Sequence, residues 1–195
     1  FNRNYDLINL DLSAFEKNIA KTNQKNQTVT SNQKSNMANI HRSLIEAKNS
    51  EDLIYFVEDD YIHNKDSLNE MVLTFERISS QIKDDIFLCP TDYPYLYSKA
   101  EPTQIFLGSN YHWRKVNETL CTFLTSKEMI NKHWNILKSM CEIEHYPFEK
   151  PLHDIYEKEL CISPVPSLAI HCTNINSIFG LSPNVNWEKL WDENK

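Results

Sequence analysis

Leu53–Val57 is an unbroken apolar run, LIYFV, that ends on three consecutive acids, Glu58, Asp59 and Asp60. Such a run reads as a strand buried on both faces. Shortly after it, Leu68, Met71, Val72, Phe75, Ile78 and Ile82 recur at the i, i+3, i+4, i+7 spacing of a helix with one apolar face. Asp66 is placed to cap that helix. A strand handing over to an amphipathic helix is half of a β-α unit, and it restricts the chain to α/β architectures.

The rest of the sequence repeats the alternation. Tyr5–Leu12 reads as a strand and Ser13–Gln24 as a short helix. Asn23–Asn36 is amide-rich and polar, a loop by composition, and Met37–Ser50 returns to helical spacing. Asp85–Leu96 is a strand stopped by Pro90. Thr103–Ile130 reads as two strands around a polar turn, then a helix from Ser126 that runs on through Met140. A short helix is expected to begin near Asp154, and a late strand over Cys161–Cys172 is broken by two prolines. The expectation is one α/β domain over residues 1–195, Rossmann-like, with a mostly parallel central sheet flanked by helices.

Bulk properties remove several function classes. A net charge of −7 makes nucleic acid and anionic membrane surfaces poor partners. No apolar run reaches the length of a membrane span, and FNRNYDLINLDL lacks the regions of a signal peptide. The 5 cysteines include no CxxC pair, so reduced thiols and a cytoplasmic location are expected. With only Gly108 and Gly180 in the chain, a glycine-rich phosphate loop is excluded.

The acids therefore need another explanation. Like charges beside a dry core repel, and a carboxylate there is costly unless compensated. Hard divalent cations take carboxylate oxygens and bridge them to substrate phosphates. A solvated acidic turn before the next helix fits the local sequence equally well.

Larger motifs separate the two. The chain carries FVEDDY, PTDYPYLY, YHWRKVNETLCTF, PLHDIYEKEL, PVPSLAIH and LSPNVNW in that order. This succession resembles a group of bacterial and phage glycosyltransferase-like proteins of the GT-A fold, family 2-like, over about residues 30–190. The resemblance implies a metal-dependent, inverting hexosyltransferase active in polysaccharide biosynthesis, with Mn2+ or Mg2+ as cofactor. Its partners would be a UDP- or GDP-linked sugar donor and a glycan or lipid-linked acceptor. Phe1 would enter after or within the first β-α unit of such a fold, and the glycine common in the amide-rich loop is replaced by TSNQKSNMAN. A non-catalytic relative that binds a sugar or a partner is the alternative.

Carried onto this chain, the resemblance gives Asp60, Glu58 and His171 as metal ligands, with Asp59 facing the sugar or ribose. Asp154 would be the general base and His153 would orient the acceptor. Trp113 and Arg114, read as lying in a polar turn, would stack on sugar and contact phosphate, and Asp92 would line the acceptor pocket. Asn32, Lys34 and Asn36 would read the nucleotide from the amide-rich loop. Thr119 and Thr122 read as plain strand residues, and Trp187 and Trp191 as packing residues of one helical face.

Overall fold

A computed structural model describes residues 7–10, 28–98, 100–173, 181–182 and 184–195. Of the strand expected over Tyr5–Leu12 only residues 7–10 are described, and they are irregular. The helix expected over Ser13–Gln24 lies outside the described residues.

Helix α1 (Ser31–Asn49) starts six residues before the expected Met37, inside the stretch read as a loop. Thr30 and Gln33 explain the early start. The Thr30 hydroxyl accepts the Gln33 N–H at 3.3 Å, and the Gln33 side chain accepts the Thr30 N–H at 2.7 Å. This reciprocal capping box satisfies amides a helix otherwise leaves unpaired. The helix buries Met37, Ala38, Leu44 and Ala47.

Strand β1 (Leu53–Phe56) and strand β2 (Tyr61–His63) flank the acidic turn, and helix α2 (Ser67–Ile82) follows. Periodicity placed α2 correctly: Met71, Phe75 and Ile78 are buried. Leu68 and Ile82 at its two ends are exposed, and Asp66 occupies the N-cap without a side-chain capping bond. Strand β3 (Phe87–Leu88) precedes a 3-10 turn at Pro94–Tyr97. Strands β4 (Ile105–Leu107), β5 (His112–Lys115) and β6 (Phe123–Ser126) come next. The helix expected from Ser126 is two helices, α3 (Lys127–Lys132) and α4 (Trp134–Glu142). They break at His133, whose Nε2 sits 2.7 Å from Glu159 Oε1. Helix α5 (Lys150–Tyr156), strands β7 (Cys161–Val165) and β8 (Ala169–His171), and helix α6 (Trp187–Glu193) complete the described elements. Trp187 and Trp191 are exposed on α6, which packs through Leu190 instead.

The main sheet has six strands in the order β1-β6-β3-β7-β5-β4. It is mixed rather than mostly parallel, because β3–β7 is the one parallel pair among its neighbours. Parallel neighbours need long crossovers, whereas β4 and β5 close through a short turn and run antiparallel. Among the described residues β1 is an edge strand of intermediate burial, so the run read as buried on both faces pairs there with β6 alone. A two-stranded ladder, β2 with β8, sets Tyr61 opposite His171.

Alternation along the central strands builds three layers. Phe87, Phe123 and Cys161 point to one side, into a cluster with Met37 and Leu44 of α1, Met129 of α3, Leu137 of α4 and Ile155 of α5. Their neighbours Leu88, Leu124 and Ile162 point to the other side, toward Met71, Phe75 and Ile78 of α2. The fold is thus an α/β domain with helices on both faces of one sheet. Among the described residues no helix is long and apolar enough to cross a membrane.

Candidate functional site

The register of two strand pairs assembles the acidic turn. β1 ends opposite Phe123 of β6, which puts Thr122 beside the chain as it leaves the sheet. The Thr122 hydroxyl accepts the Glu58 N–H at 3.0 Å and donates to Glu58 Oε2 at 3.3 Å. On the other side, the β2–β8 ladder delivers His171 to Asp60. His171 Nε2 lies 2.8 Å from Asp60 Oδ2, and the Thr173 hydroxyl donates to the same oxygen at 2.6 Å. The Cys172 N–H donates to the Asp60 carbonyl at 2.7 Å. Tyr61 places its ring 5.1 Å from the His171 ring, and its hydroxyl hydrogen-bonds that of buried Tyr93.

Glu58 and Asp60 are half-buried and Asp59 is exposed. Burial raises the Glu58 carboxyl from 4.5 to about 7, the Asp60 charge adds to the rise, and the Thr122 hydrogen bond opposes it. Glu149, at the start of α5, contributes further repulsion. A buried carboxyl raised further by a neighbouring carboxylate is what a divalent cation would relieve. The donor set fits Mn2+ or Mg2+, which are held by one or two carboxylates together with substrate phosphates. The arrangement is an open one: among the described residues no group of three or more His, Cys, Asp and Glu side chains is placed to hold an ion. His171 directs Nε2 at Asp60, and its Nδ1 is buried with no hydrogen-bond partner among the described residues. The imidazole expected as a third ligand is, in this arrangement, paired through Nε2 with Asp60.

Helix α5 bounds a neighbouring cleft of about 450 Å³, lined by Asn117, Glu118, Pro147, Lys150, His153 and Glu157. His153 Nε2–H donates to the Thr119 carbonyl at 3.1 Å. Asp154 is not at the start of a helix as expected. It lies within α5, whose N-cap is Glu149, and its half-exposed carboxylate is paired with Lys150 one turn earlier.

Several expected residues are committed elsewhere. Trp113 and Arg114 form part of β5 rather than a turn. Trp113 is 0% exposed, and its Nε1–H donates to buried Glu70 at 3.3 Å, so it presents no face to a sugar. Arg114 is 9% exposed and gives Nε and Nη2 to Asp92 Oδ1 at 2.9 and 2.7 Å. Asp92 is itself 2% exposed and accepts the Tyr97 hydroxyl at 2.5 Å, while the Tyr97 ring lies 4.3 Å from the Arg114 guanidinium carbon. This closed ion pair ties β5 to the 3-10 turn. It leaves Asp92 no role lining an open pocket and Arg114 none as an exposed phosphate ligand. Asn32, Lys34 and Asn36 lie on the first turns of α1, not in a loop. The first-turn amides of Gln33 and Lys34 are already taken by the Thr30 hydroxyl and carbonyl.

Thr122, Thr173 and Glu149 were not singled out from the sequence as part of the site. Thr122 sits in the motif T-L-C-T-F, where only strand register shows that its hydroxyl faces Glu58.

These features define an α/β domain with a carboxylate pair and a histidine at a strand end, and an open cleft along α5. No family profile, curated protein or solved structure matches the chain.

Proposed function

We propose that this chain is a metal-dependent, inverting glycosyltransferase that moves a sugar from a nucleoside-diphosphate donor to a hydroxyl acceptor. The observation that carries the reading is the juxtaposition of Glu58 and Asp60 with His171 and Thr173, at the end of β1. Glu58 and Asp60 would hold the cation, which would neutralise charge on the departing diphosphate. His171 and Thr173 fix the Asp60 carboxylate, and Thr122 fixes Glu58. The α5 cleft has the volume and the mixed polar lining suited to a saccharide.

Manganese and a nucleoside diphosphate together should raise the melting temperature, since ligand at 100 times its Kd adds about 2.7 kcal/mol. Release of nucleoside diphosphate from UDP- or GDP-hexose should vanish in Asp60→Ala. Turnover that survives the substitution would overturn the assignment of the site.

The binding-only alternative draws on a separate observation: Arg114 and Trp113, expected to grip donor and sugar, are buried in other contacts. It predicts stabilisation by saccharide alone and no donor turnover.

A further inference from the structure

We infer that His153, not Asp154, takes the proton from the acceptor hydroxyl. This rests on the transferase reading above. A carbonyl oxygen only accepts, so the 3.1 Å contact between His153 Nε2 and the Thr119 carbonyl requires a proton on Nε2. In the neutral ring the lone pair is then on Nδ1. A ring anchored through one nitrogen, with a lone pair on the other, is the arrangement of a positioned general base.

Placement supports the same assignment. Lys150 and His153 of α5 and Glu157 at its C-cap recur at i, i+3, i+7 along the side that lines the cleft. Asp154 is not among the residues lining it, and its carboxylate is held by Lys150. The cleft is also tied to the acidic turn by one short segment. Thr119 receives His153, and Thr122 holds Glu58. Two residues lie between Thr119 and Thr122, three steps of chain and at most about 11 Å. The charged residues that line the cleft with His153 are Glu118 on the loop after β5, Lys150 on α5 and Glu157 at its C-cap.

The acceptor O–H proton passes to His153 Nδ1 as the acceptor oxygen bonds the sugar C1. The C1–O bond to the diphosphate breaks, and its electron pair leaves on the nucleoside diphosphate. The imidazolium returns its proton to solvent through the open cleft.

His153→Gln tests this, because the Gln amide N–H can keep the bond to the Thr119 carbonyl while lacking a basic nitrogen. With UDP- and GDP-hexoses, Mn2+ and simple saccharide acceptors, the variant should lose about 100-fold or more in transfer. Its thermal shift with manganese and nucleoside diphosphate should be retained. Asp154→Asn should lose less than about tenfold. Long-range 1H–15N correlation spectra of the wild type should show Nε2 protonated and Nδ1 bare. Wild-type transfer rates in His153→Gln, a larger loss in Asp154→Asn, or a proton on Nδ1 would each overturn the assignment and leave the transferase reading standing. A wild-type chain with no donor turnover at all would sink both.

Discussion

Glu58 holds its proton well above the ordinary carboxylate range, and this has a thermodynamic signature. Its carboxyl is raised from 4.5 to about 7, first by burial and then by Asp60. The folded chain therefore binds this proton more tightly than the unfolded one. The resulting stability is fully present below 4.5 and is lost as pH rises through about 7. At 1.36 kcal/mol per pH unit, the loss is about 3 kcal/mol across the interval. Glu58→Gln removes the titration while keeping an oxygen for the Thr122 hydroxyl. In urea unfolding at about pH 8 the variant should exceed the wild type by up to about 3 kcal/mol, and the two should converge near pH 4.5. Lower stability of the variant at the higher pH would mean that the ionised carboxylate is already compensated within the fold. Saturating manganese should flatten the wild-type slope and erase the advantage of the variant, because a cation bound to the ionised pair displaces the proton.

At the scale of elements, the β4–β5 hairpin is held by a side chain from α2. Glu70 is 1% exposed, and its carboxylate accepts the backbone N–H groups of Ser109, Asn110 and Tyr111 at 3.0, 2.8 and 3.3 Å. Thr74 Oγ1 and Trp113 Nε1 donate to it at 3.0 and 3.3 Å. Glu70→Ala would strand the buried Thr74 and Trp113 donors and leave the turn amides without their acceptor, and chemical denaturation should show a loss of about 3 kcal/mol. Gly108 is the other constraint on the same turn. A Cβ there would meet the Trp113 ring and come within 2.6 Å of Thr74 Oγ1. Gly108→Ala should cost about 1–3 kcal/mol by overpacking. These contacts explain what could be read in advance. α2 was legible because its apolar stripe is local information, spaced by the helix itself. Glu70 reads from sequence as one more solvated acid, and Trp113 and Arg114 read as a polar turn because Gly108, Ser109 and Asn110 precede them. Their burial depends on a carboxylate some 40 positions away, at Glu70, and on Asp92. The same limit applied to the site. The acids and His171 were visible as residue types, whereas their pairing needed the antiparallel β2–β8 register.

For the whole molecule, the decisive feature is that both apolar layers share the same three central strands. Periodicity gave the α/β class but not the strand directions, because short strands joined by turns or by helices look alike residue by residue. That sharing has a consequence for cooperativity. Phe87, Phe123 and Cys161 belong to the layer of α1, α3, α4 and α5, and their immediate neighbours Leu88, Leu124 and Ile162 belong to the layer of α2. A strand cannot lose its packing on one face and keep its place on the other, since the two sets of side chains hang from one backbone. The layers should therefore open as one unit. Leu137 of α4 is 1% exposed and lies in the first layer. Leu137→Ala should cost about 2–5 kcal/mol. Native-state hydrogen exchange should then show the most protected α2 amides, around Met71–Ile78, losing protection by the same factor as those of α4. A drop confined to α4, with α2 unchanged, would show instead that the sheet insulates one layer from the other.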